Sequence, residues 1–338
     1  MKRSLLRASP LVLLAICLPS SAADTGLNLA REDVQHFIIS TAKAHGLDAL
    51  RVTELLRDAR PQPGILELMR RPAERTLVWW EYRPRFLNED RINGGVTVWQ
   101  TYRDELARIE ARTGVPAQYL VAITGVETSY GRVTGRYRVL DALTTLGFDY
   151  PPRGEFFRKE LAQFLVMATE EGLDPRTPLG SYAGAMGIAQ FMPSSVRSFA
   201  VDDANDGRRD MWVYGPDVFG SIANYFVEHG WRNGQPVLTE AHHAAAPDDP
   251  TNIKLALGDT IDALRTRGYL FDTPLPGSAP AMLIPAVLAS GLSWRVGYQN
   301  FYVITRYNRS VMYAMAVHEL AQAIASRYHA ASLVEQGK

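Results

Sequence analysis

The chain has 338 residues, with 36 basic and 36 acidic side chains and a hydrophobic fraction of 46%. This length and composition exclude a disordered chain and allow one to three lobes, each with its own core. The balanced charge gives no electrostatic case for nucleic-acid binding. The one cysteine, Cys17, excludes an internal disulfide and a site with several thiolates.

The first 23 residues predict a secretory signal peptide. Three basic residues precede a short apolar run at 10–18, and small residues lead to a cleavage site after Ala23. Cleavage there removes Cys17 and leaves a small negative net charge. We therefore predict a soluble protein in the periplasm of a Gram-negative bacterium. A lipid anchor on Cys17 is the alternative, although bulky Ile16 stands where lipoprotein signals usually carry a small residue.

The periodicity of the remaining chain is mostly helical. Apolar residues at three- and four-residue spacing predict helices over 31–46, 48–60, 99–113, 156–171, 217–229 and 310–328. Between 230 and 308 the pattern changes to shorter β-prone segments, "AMLIPAVL", "WRVGY" and "NFYVITRY". We predict a mainly α (α+β) protein with a helical lobe at 24–80, a core at 81–231 and a small α/β lobe at 232–309. The closing helix, 310–338, is expected to pack back on the first helices and complete their lobe.

"GVETSYGR", residues 125–132, places an acid in a stretch of apolar and small residues. A helix from Pro116 to about Gly131 would put Glu127 on the apolar stripe that contains Leu120 and Ile123. Burial and the negative end of the helix both raise the pKa of such a carboxyl, which then suits a general acid. The alternative is a structural glutamate that bonds to nearby backbone or to Arg132.

A second segment, "GSYAGAMGIAQFMPSS" at 180–195, combines small residues with one amide side chain. Small residues let two backbones, or a backbone and a ligand, approach closely, and Gln190 supplies a neutral donor and acceptor. A tight helix crossing would explain the small residues equally well. A buried acid earlier in the chain favours the interpretation as a ligand site.

Six segments together carry a family resemblance. In chain order they are "GVETSYGR", "LDALTTLGFDYP", "GSYAGAMGIAQFMPSS", "DGRRDMW", "GSIANYF" and "NFYVITRYN". With them the chain resembles the bacterial lytic murein transglycosylases of the B family from about Tyr82 to its C-terminus. The resemblance implies a lysozyme-like core that cleaves the β-1,4 bond between N-acetylmuramic acid and N-acetylglucosamine. The family does so without water and leaves a 1,6-anhydro ring, and the chemistry needs no cofactor.

The resemblance also implies roles for single residues. Glu127 matches the family's sole catalytic acid and base, whereas ordinary glycosidases use two carboxyl groups. Arg153 matches one of two paired arginines, and Pro152 replaces the other, which would weaken an anionic contact. The remaining residues matched to the substrate cleft are Tyr82, Ser181, Met186, Gln190, Phe191, Tyr225, Tyr302 and Tyr307. Ordinary core packing is the alternative for Tyr225 and Tyr307.

Residues 202–217 resemble an EF-hand calcium loop in part. Counted from Asp202, acids fall at positions 1, 5 and 9, and Gly207 stands at position 6. Ala204 and Val213 depart from the pattern at positions 3 and 12, so the family's distal carboxylate would come from Asp217. The predicted ligands of a structural calcium ion are Asp202, Asp206, the Arg208 carbonyl, Asp210 and Asp217. The alternative is a polar turn with Asp217 as a helix N-cap.

Two other functions remain open at this point. A muramidase on the same fold would hydrolyse the same bond, and a non-catalytic wall-binding protein would keep the fold alone. We expect peptidoglycan strands as the substrate, cell-wall synthesis proteins as candidate partners, a monomer and no nucleic acid.

Overall fold

The computed structural model describes residues 26–70, 77–243 and 255–336, so the predicted signal peptide lies outside the described residues. Helices dominate this part of the chain, as the sequence pattern predicted. The main helices are α1 Glu32–His45, α2 Ala49–Asp58, α3 Pro63–Arg70, α4 Trp79–Tyr82, α5 Glu89–Thr101, α6 Arg103–Thr113, α7 Ala117–Thr128, α8 Val139–Asp149, α9 Gly154–Glu170, α10 Pro193–Phe199, α11 Pro216–Glu228, α12 Ile261–Thr266, α13 Gln299–Tyr307 and α14 Val311–Gln336.

Two caps lie between the first two helices, and of the first three helices α1 packs on α9 and α2 while α3 packs on α8. Gly46 has φ 67° and takes the left-handed conformation that stops α1. Asp48 then starts α2, because its carboxylate accepts the amide N–H of Leu50 at 2.9 Å. The short segment between Gly46 and Asp48 therefore reverses the chain and brings α1 against α2.

The predicted helix over 99–113 is two helices in the structure. α5 begins earlier, after the cap Asn88, and Tyr102 separates it from α6. The Tyr102 hydroxyl donates to the Tyr214 carbonyl at 3.1 Å, and its ring packs edge-on against Phe219. The break between α5 and α6 thus coincides with a tertiary contact of Tyr102, which local periodicity cannot predict.

Helix α7 forms the centre of the molecule. Helices α5, α6, α11 and α14 surround it, and nearly all of its side chains are buried. A helix that is apolar on every side is stable only inside a protein, which explains this position. A polar group on α7 is consequently held in a low-dielectric environment.

The β-structure lies in two small antiparallel sheets. β1 Tyr137–Arg138 pairs with β2 Leu179–Gly180. The second sheet has the strand order β4-β6-β7-β3-β5, formed by β3 Leu238–His243, β4 Asp259–Thr260, β5 Tyr269–Leu270, β6 Pro280–Leu288 and β7 Gly291–Gly297. Its separate core contains Ile261, Leu264, Tyr269, Trp294 and Tyr298. This sheet and α12 form the small mixed lobe expected after residue 232.

The β interpretation of "NFYVITRY" is wrong, because these residues form α13. Phe301, Val303 and Ile304 are fully buried, so their packing overrides the strand propensity of the β-branched side chains. Asn300 anchors the helix start, since its amide group donates to the carbonyl oxygens of Arg232 and Gln235 at 2.8 and 2.9 Å.

The closing helix α14 packs on α5, α7 and α13. The expectation that it completes the N-terminal lobe is therefore wrong: its small and apolar face fits the central helix α7. An ion pair of 3.0 Å between Arg295 of β7 and Glu319 joins the small lobe to α14. Within the described ranges, we find no helix with the length and apolar character required to span a bilayer.

Candidate active site

A cavity of about 510 Å³ opens where the end of α7 meets the segment 179–190. Its lining residues are Glu127, Arg132, Val133, Thr134, Gly135, Arg136, Tyr137, Ser181, Tyr182 and Gln190. Glu127 is the only carboxyl group among these described lining residues. The structure thus brings Glu127, Ser181 and Gln190 together, as the motifs predicted.

Glu127 occupies the last turn of α7, which ends at Thr128. The predicted end near Gly131 is three residues too late, because Ser129 already takes the left-handed conformation, with φ 51°. The Thr128 hydroxyl donates to the Ile188 carbonyl at 3.1 Å and accepts the Gly131 amide N–H at 2.9 Å. The helix end that carries Glu127 is therefore tied to the cavity wall.

The surroundings of Glu127 change its acidity. Burial raises the pKa of the Glu127 carboxyl to about 7, and a hydrogen bond from Tyr313 opposes the rise. The Tyr313 hydroxyl lies 2.5 Å from Oε1. This bond occupies one carboxyl oxygen and leaves Oε2 to carry a proton. A carboxyl with a pKa near neutrality can donate a proton and later take one back.

Tyr313 was missed by the sequence analysis. It lies near the start of α14 in "SVMYAMAV", where its position looks like one more apolar residue of a packed helix. Burial raises the pKa of Tyr82 and of Tyr307, and the Glu127 charge adds to both shifts, which places both phenols within electrostatic reach of the acid. Of these three tyrosines, Tyr313 is the one that bonds directly to Glu127.

The segment 180–191 forms one wall of the cavity through backbone pairing. Met186 and Phe191 exchange amide hydrogen bonds of 2.8 and 3.1 Å, and both side chains are buried. The Ser181 hydroxyl accepts the Ala185 amide N–H at 3.1 Å. Met186 and Phe191 thus shape the wall from behind, while Ser181 reaches the cavity.

Gln190 fastens this wall to the segment that follows Glu127. Its side-chain amide donates to the carbonyl oxygens of Thr134 and Gly187 at 3.0 and 2.8 Å. On the same segment, a Cβ at Gly135 would lie 2.0 Å from the Gly180 carbonyl, so only glycine fits there. The small residues therefore allow two loops to approach each other closely. They do not lie at a crossing of two helices, which was the alternative explanation.

Among the described residues that line the cavity, the predicted tyrosines Tyr225, Tyr302 and Tyr307 are not found, and the hydroxyl groups of Tyr225 and Tyr307 are engaged elsewhere. Tyr307 donates to the Ala189 carbonyl at 2.6 Å, and Tyr225 donates to the Arg306 carbonyl at 2.7 Å. Tyr225 is buried among the rings of Phe191, Phe199, His229 and Tyr307. The Arg306 guanidinium lies 4.1 Å from the ring centre of Tyr302. These contacts fit a packing role for Tyr225.

Arg153 lies outside the cavity lining. It is exposed in a turn before α9, and its guanidinium stacks over Phe156 at 4.4 Å and Phe157 at 5.1 Å from the ring centres. The structure therefore does not bring Arg153 into the cavity that holds Glu127.

The acidic loop brings three of its predicted ligands together. One carboxylate oxygen each of Asp202, Asp206 and Asp217 lies within 4.8 Å of the others. Carboxylate oxygens are the ligands that calcium prefers, so this donor set fits a calcium ion. Gly207, with φ 88°, makes the sharp turn expected at position 6. Asp202 closes the turn, because its carboxylate accepts the Gly207 amide N–H at 2.8 Å.

The structure differs from the calcium prediction at Asp210, and from its alternative at Asp217. Asp210 does not join the group, since its Oδ1 accepts the amide N–H groups of Trp212 and Val213. Asp217 is not the N-cap of α11, which is Gly215; its carboxylate instead accepts amides of the loop. Arg208 follows the turn, and its amide N–H donates to Asp206 Oδ1 at 3.0 Å.

Asp203, which the sequence analysis did not single out, is buried and pairs with Arg108 and Arg112 of α6.

Known proteins match this chain over most of its length. Residues 30–322 match the family model described as a transglycosylase SLT domain. The chain is 42% identical over 302 residues to membrane-bound lytic murein transglycosylase B of Escherichia coli strain K12, covering 87% of this chain and 82% of that protein.

Solved structures agree with this match. Catenated lytic transglycosylase SltB1 of Pseudomonas aeruginosa is 44% identical with a TM-score of 0.84, over 88% of this chain and 98% of that one. Lytic transglycosylase Slt35 of Escherichia coli in complex with calcium is 39% identical with a TM-score of 0.81, over 90% of this chain and 96% of that one. The resemblance carried by the six motifs is confirmed: the chain belongs to the SLT-domain family of lytic transglycosylases.

Proposed function

We propose that this protein cleaves the β-1,4 bond between N-acetylmuramic acid and N-acetylglucosamine in peptidoglycan and leaves a 1,6-anhydro ring. Its family membership supports the substrate and the reaction class. The observation that carries the mechanism is the position of Glu127, a single carboxyl in the described cavity lining with a pKa of about 7. One carboxyl group of this acidity suffices for both proton transfers.

In the first step, Glu127 acts as a general acid. Its proton passes from Oε2 to the glycosidic oxygen, the C1–O bond breaks, and the bonding electron pair leaves with the N-acetylglucosamine oxygen. Oε1 keeps its hydrogen bond from Tyr313, which fixes the carboxyl plane. The muramyl C1 becomes positively charged, and its own N-acetyl group can stabilise that charge.

In the second step, the Glu127 carboxylate acts as the base. It takes the proton from the C6 hydroxyl of the same muramyl residue, and O6 bonds to C1. Glu127 is again protonated, and no water has been consumed. A hydrolase would instead need a second carboxyl to position water, and ordinary glycosidases carry two.

Other side chains of the cleft would hold the glycan. Ser181, Gln190 and Tyr182 line the cavity, and aromatic rings suit the C–H faces of sugars. Tyr82 and Tyr307, which the family resemblance matches to the cleft, would contribute to the surface that holds the glycan. Met186 and Phe191 support this surface from within the core.

The products decide between this reaction and hydrolysis. Purified sacculi are digested with the protein, and the released muropeptides are measured by mass spectrometry. Non-hydrolytic cleavage predicts muramyl ends one water lighter than those from a hydrolytic muramidase. Reducing muramyl ends would favour a muramidase, and no release would favour a wall-binding protein.

The remaining assignments follow from this activity. A peptidoglycan substrate and an export signal support a periplasmic location. We expect the protein to act as a monomer. Cell-wall synthesis proteins are candidate partners, because cleavage of strands has to be coordinated with their synthesis. The three aspartates of the acidic loop would hold a structural calcium ion remote from the chemistry.

A further inference from the structure

Two arginines stand in the cavity that contains Glu127. Arg132 and Arg136 both line it, and both are exposed. The cavity therefore carries two guanidinium groups and a single carboxyl with a pKa near neutrality, an excess of positive charge. A site of this charge favours an anionic group on its ligand.

The two arginines lack a carboxylate partner within the described part of the chain. Arg132 donates through Nε to the Ser129 carbonyl at 3.0 Å, and Arg136 lies over the Tyr137 ring at 5.7 Å from its centre. The neighbouring Arg138 is different, because Asp58 and Asp141 hold it at 2.8 Å each. Arg132 and Arg136 thus keep guanidinium N–H groups available to a ligand.

The backbone that presents these arginines is held in place. Gln190 bonds to the Thr134 carbonyl, Gly135 lies against Gly180, and Tyr137 pairs with Gly180 in the short sheet. Little backbone order therefore has to be gained when a ligand binds, which favours affinity. This contrasts with Arg153, which stacks on two phenylalanines outside the cavity.

We propose that Arg132 and Arg136 bind a carboxylate carried by the C3 substituent of the muramyl residue, and so select muramyl-containing strands. The carboxylate belongs either to a stem peptide or to the lactyl group of a strand without peptides. Guanidinium groups bind carboxylates through paired N–H donors, so the contact is directional as well as electrostatic. This inference rests on the proposed function, because it concerns the substrate of the same cavity.

The test compares three substrates that differ in the group attached at C3 of the muramyl residue and in its charge. They are soluble strands with stem peptides, strands freed of peptides by an amidase, and the latter strands with their lactyl carboxylates coupled to a neutral amine. KM and kcat are measured for the wild type, Arg136→Gln and Arg132→Gln. For two exposed arginines that bind a carboxylate through paired N–H donors, we expect KM to rise about three- to ten-fold on the anionic strands and kcat to stay nearly constant.

On the neutral strands, wild type and variants should have the same KM. Arg136→Lys keeps the charge and should recover part of the loss. Arg57→Gln, an exposed arginine of α2 outside the cavity, controls for the lost net charge. An effect confined to strands with stem peptides identifies the peptide carboxylate, and an effect on peptide-free strands identifies the lactyl group.

An equal rise in KM on charged and neutral strands would overturn the inference, as would an equal rise in Arg57→Gln. The proposed function is judged separately, from the mass of the wild-type products. If those products carry hydrated muramyl ends, lytic cleavage is wrong, while the KM comparison still decides the role of the arginines.

Discussion

The hydroxyl group of Tyr313 donates a hydrogen bond of 2.5 Å to Oε1 of Glu127, across 186 residues of sequence. This bond lowers the pKa of Glu127, whereas burial raises it, and burial dominates. Tyr313 therefore adjusts the acidity of the group that is expected to carry both proton transfers.

Replacing Tyr313 with Phe should move the pH profile of activity. The variant loses the hydrogen bond that lowers the Glu127 pKa, so that pKa should rise above about 7. The protonated acid then persists to higher pH, and the basic limb of kcat/KM should shift upward. Tyr307→Phe is the matched control, since the Tyr307 hydroxyl donates to Ala189. A downward shift in Tyr313→Phe would contradict the assignment.

Glu127→Gln should fold and bind glycan strands but release no anhydro-muropeptides. Loss of general acid–base help costs roughly a hundred- to ten-thousand-fold in rate, and here one group serves two transfers. Activity is followed by mass spectrometry and folding by circular dichroism. A folded variant that keeps more than about a tenth of the wild-type rate, against that expected loss, would show that Glu127 is structural.

The same variant should change how stability depends on pH. The folded-state pKa of Glu127 is raised from 4.5 to about 7, so its contribution is fully present below pH 4.5 and is lost as pH rises through 7. Relative to Glu127→Gln, the wild type should lose on the order of 3 kcal/mol of unfolding free energy over that range. Urea denaturation at pH 4 and pH 8, within the range where both proteins fold, measures the difference. If the unfolding free energies of the wild type and Glu127→Gln change equally between pH 4 and pH 8, the pKa of Glu127 is not raised.

Calcium should raise the melting temperature by mass action if the acidic loop binds it. Asp206→Ala should abolish that rise, because it removes one of the three gathered carboxylates. Asp104→Ala, an exposed acid of α6, should keep it. The measurement is a thermal melt with calcium and with a chelator. Equal melting in both conditions for the wild type would leave only a polar turn.

Tyr225→Phe tests whether this tyrosine packs or binds. Its hydroxyl already donates to the Arg306 carbonyl, and burial raises its pKa to about 12. Removing the bond should cost about 1 kcal/mol of stability, while turnover of sacculi stays near that of the wild type. Chemical denaturation and an activity assay give the two values. A large loss of turnover without loss of stability would instead show that the Tyr225 hydroxyl binds the substrate.

Arg153→Ala tests whether Arg153 binds the substrate, as the family resemblance implies, or only packs on the surface outside the cavity. Arg153 stacks over Phe156 and Phe157 outside the cavity, so the variant should lose a surface contact and keep its KM for peptide-bearing strands. Should its KM rise as far as that of Arg136→Gln, the turn before α9 would belong to the binding surface after all.

The mainly helical fold, the family and the position of Glu127 were accessible from the sequence alone. Helical periodicity is a local property, and "GVETSYGR" and the small-residue segment each occupy one continuous stretch. The apolar stripe around Glu127 also predicted the direction of its pKa shift. These conclusions depend on neighbours a few residues apart, which a sequence displays directly.

Tertiary structure decided what distant segments do to one another. Tyr313 reaches Glu127 only because α14 packs on α7, although the sequence placed that helix on the N-terminal lobe. The burial of Phe301 and Ile304 stabilises α13 as a helix. The Arg153 guanidinium stacks on Phe156 and therefore lies outside the cavity. Each outcome depends on the burial energy of contacts between residues far apart in the chain, which local propensity and spacing do not contain.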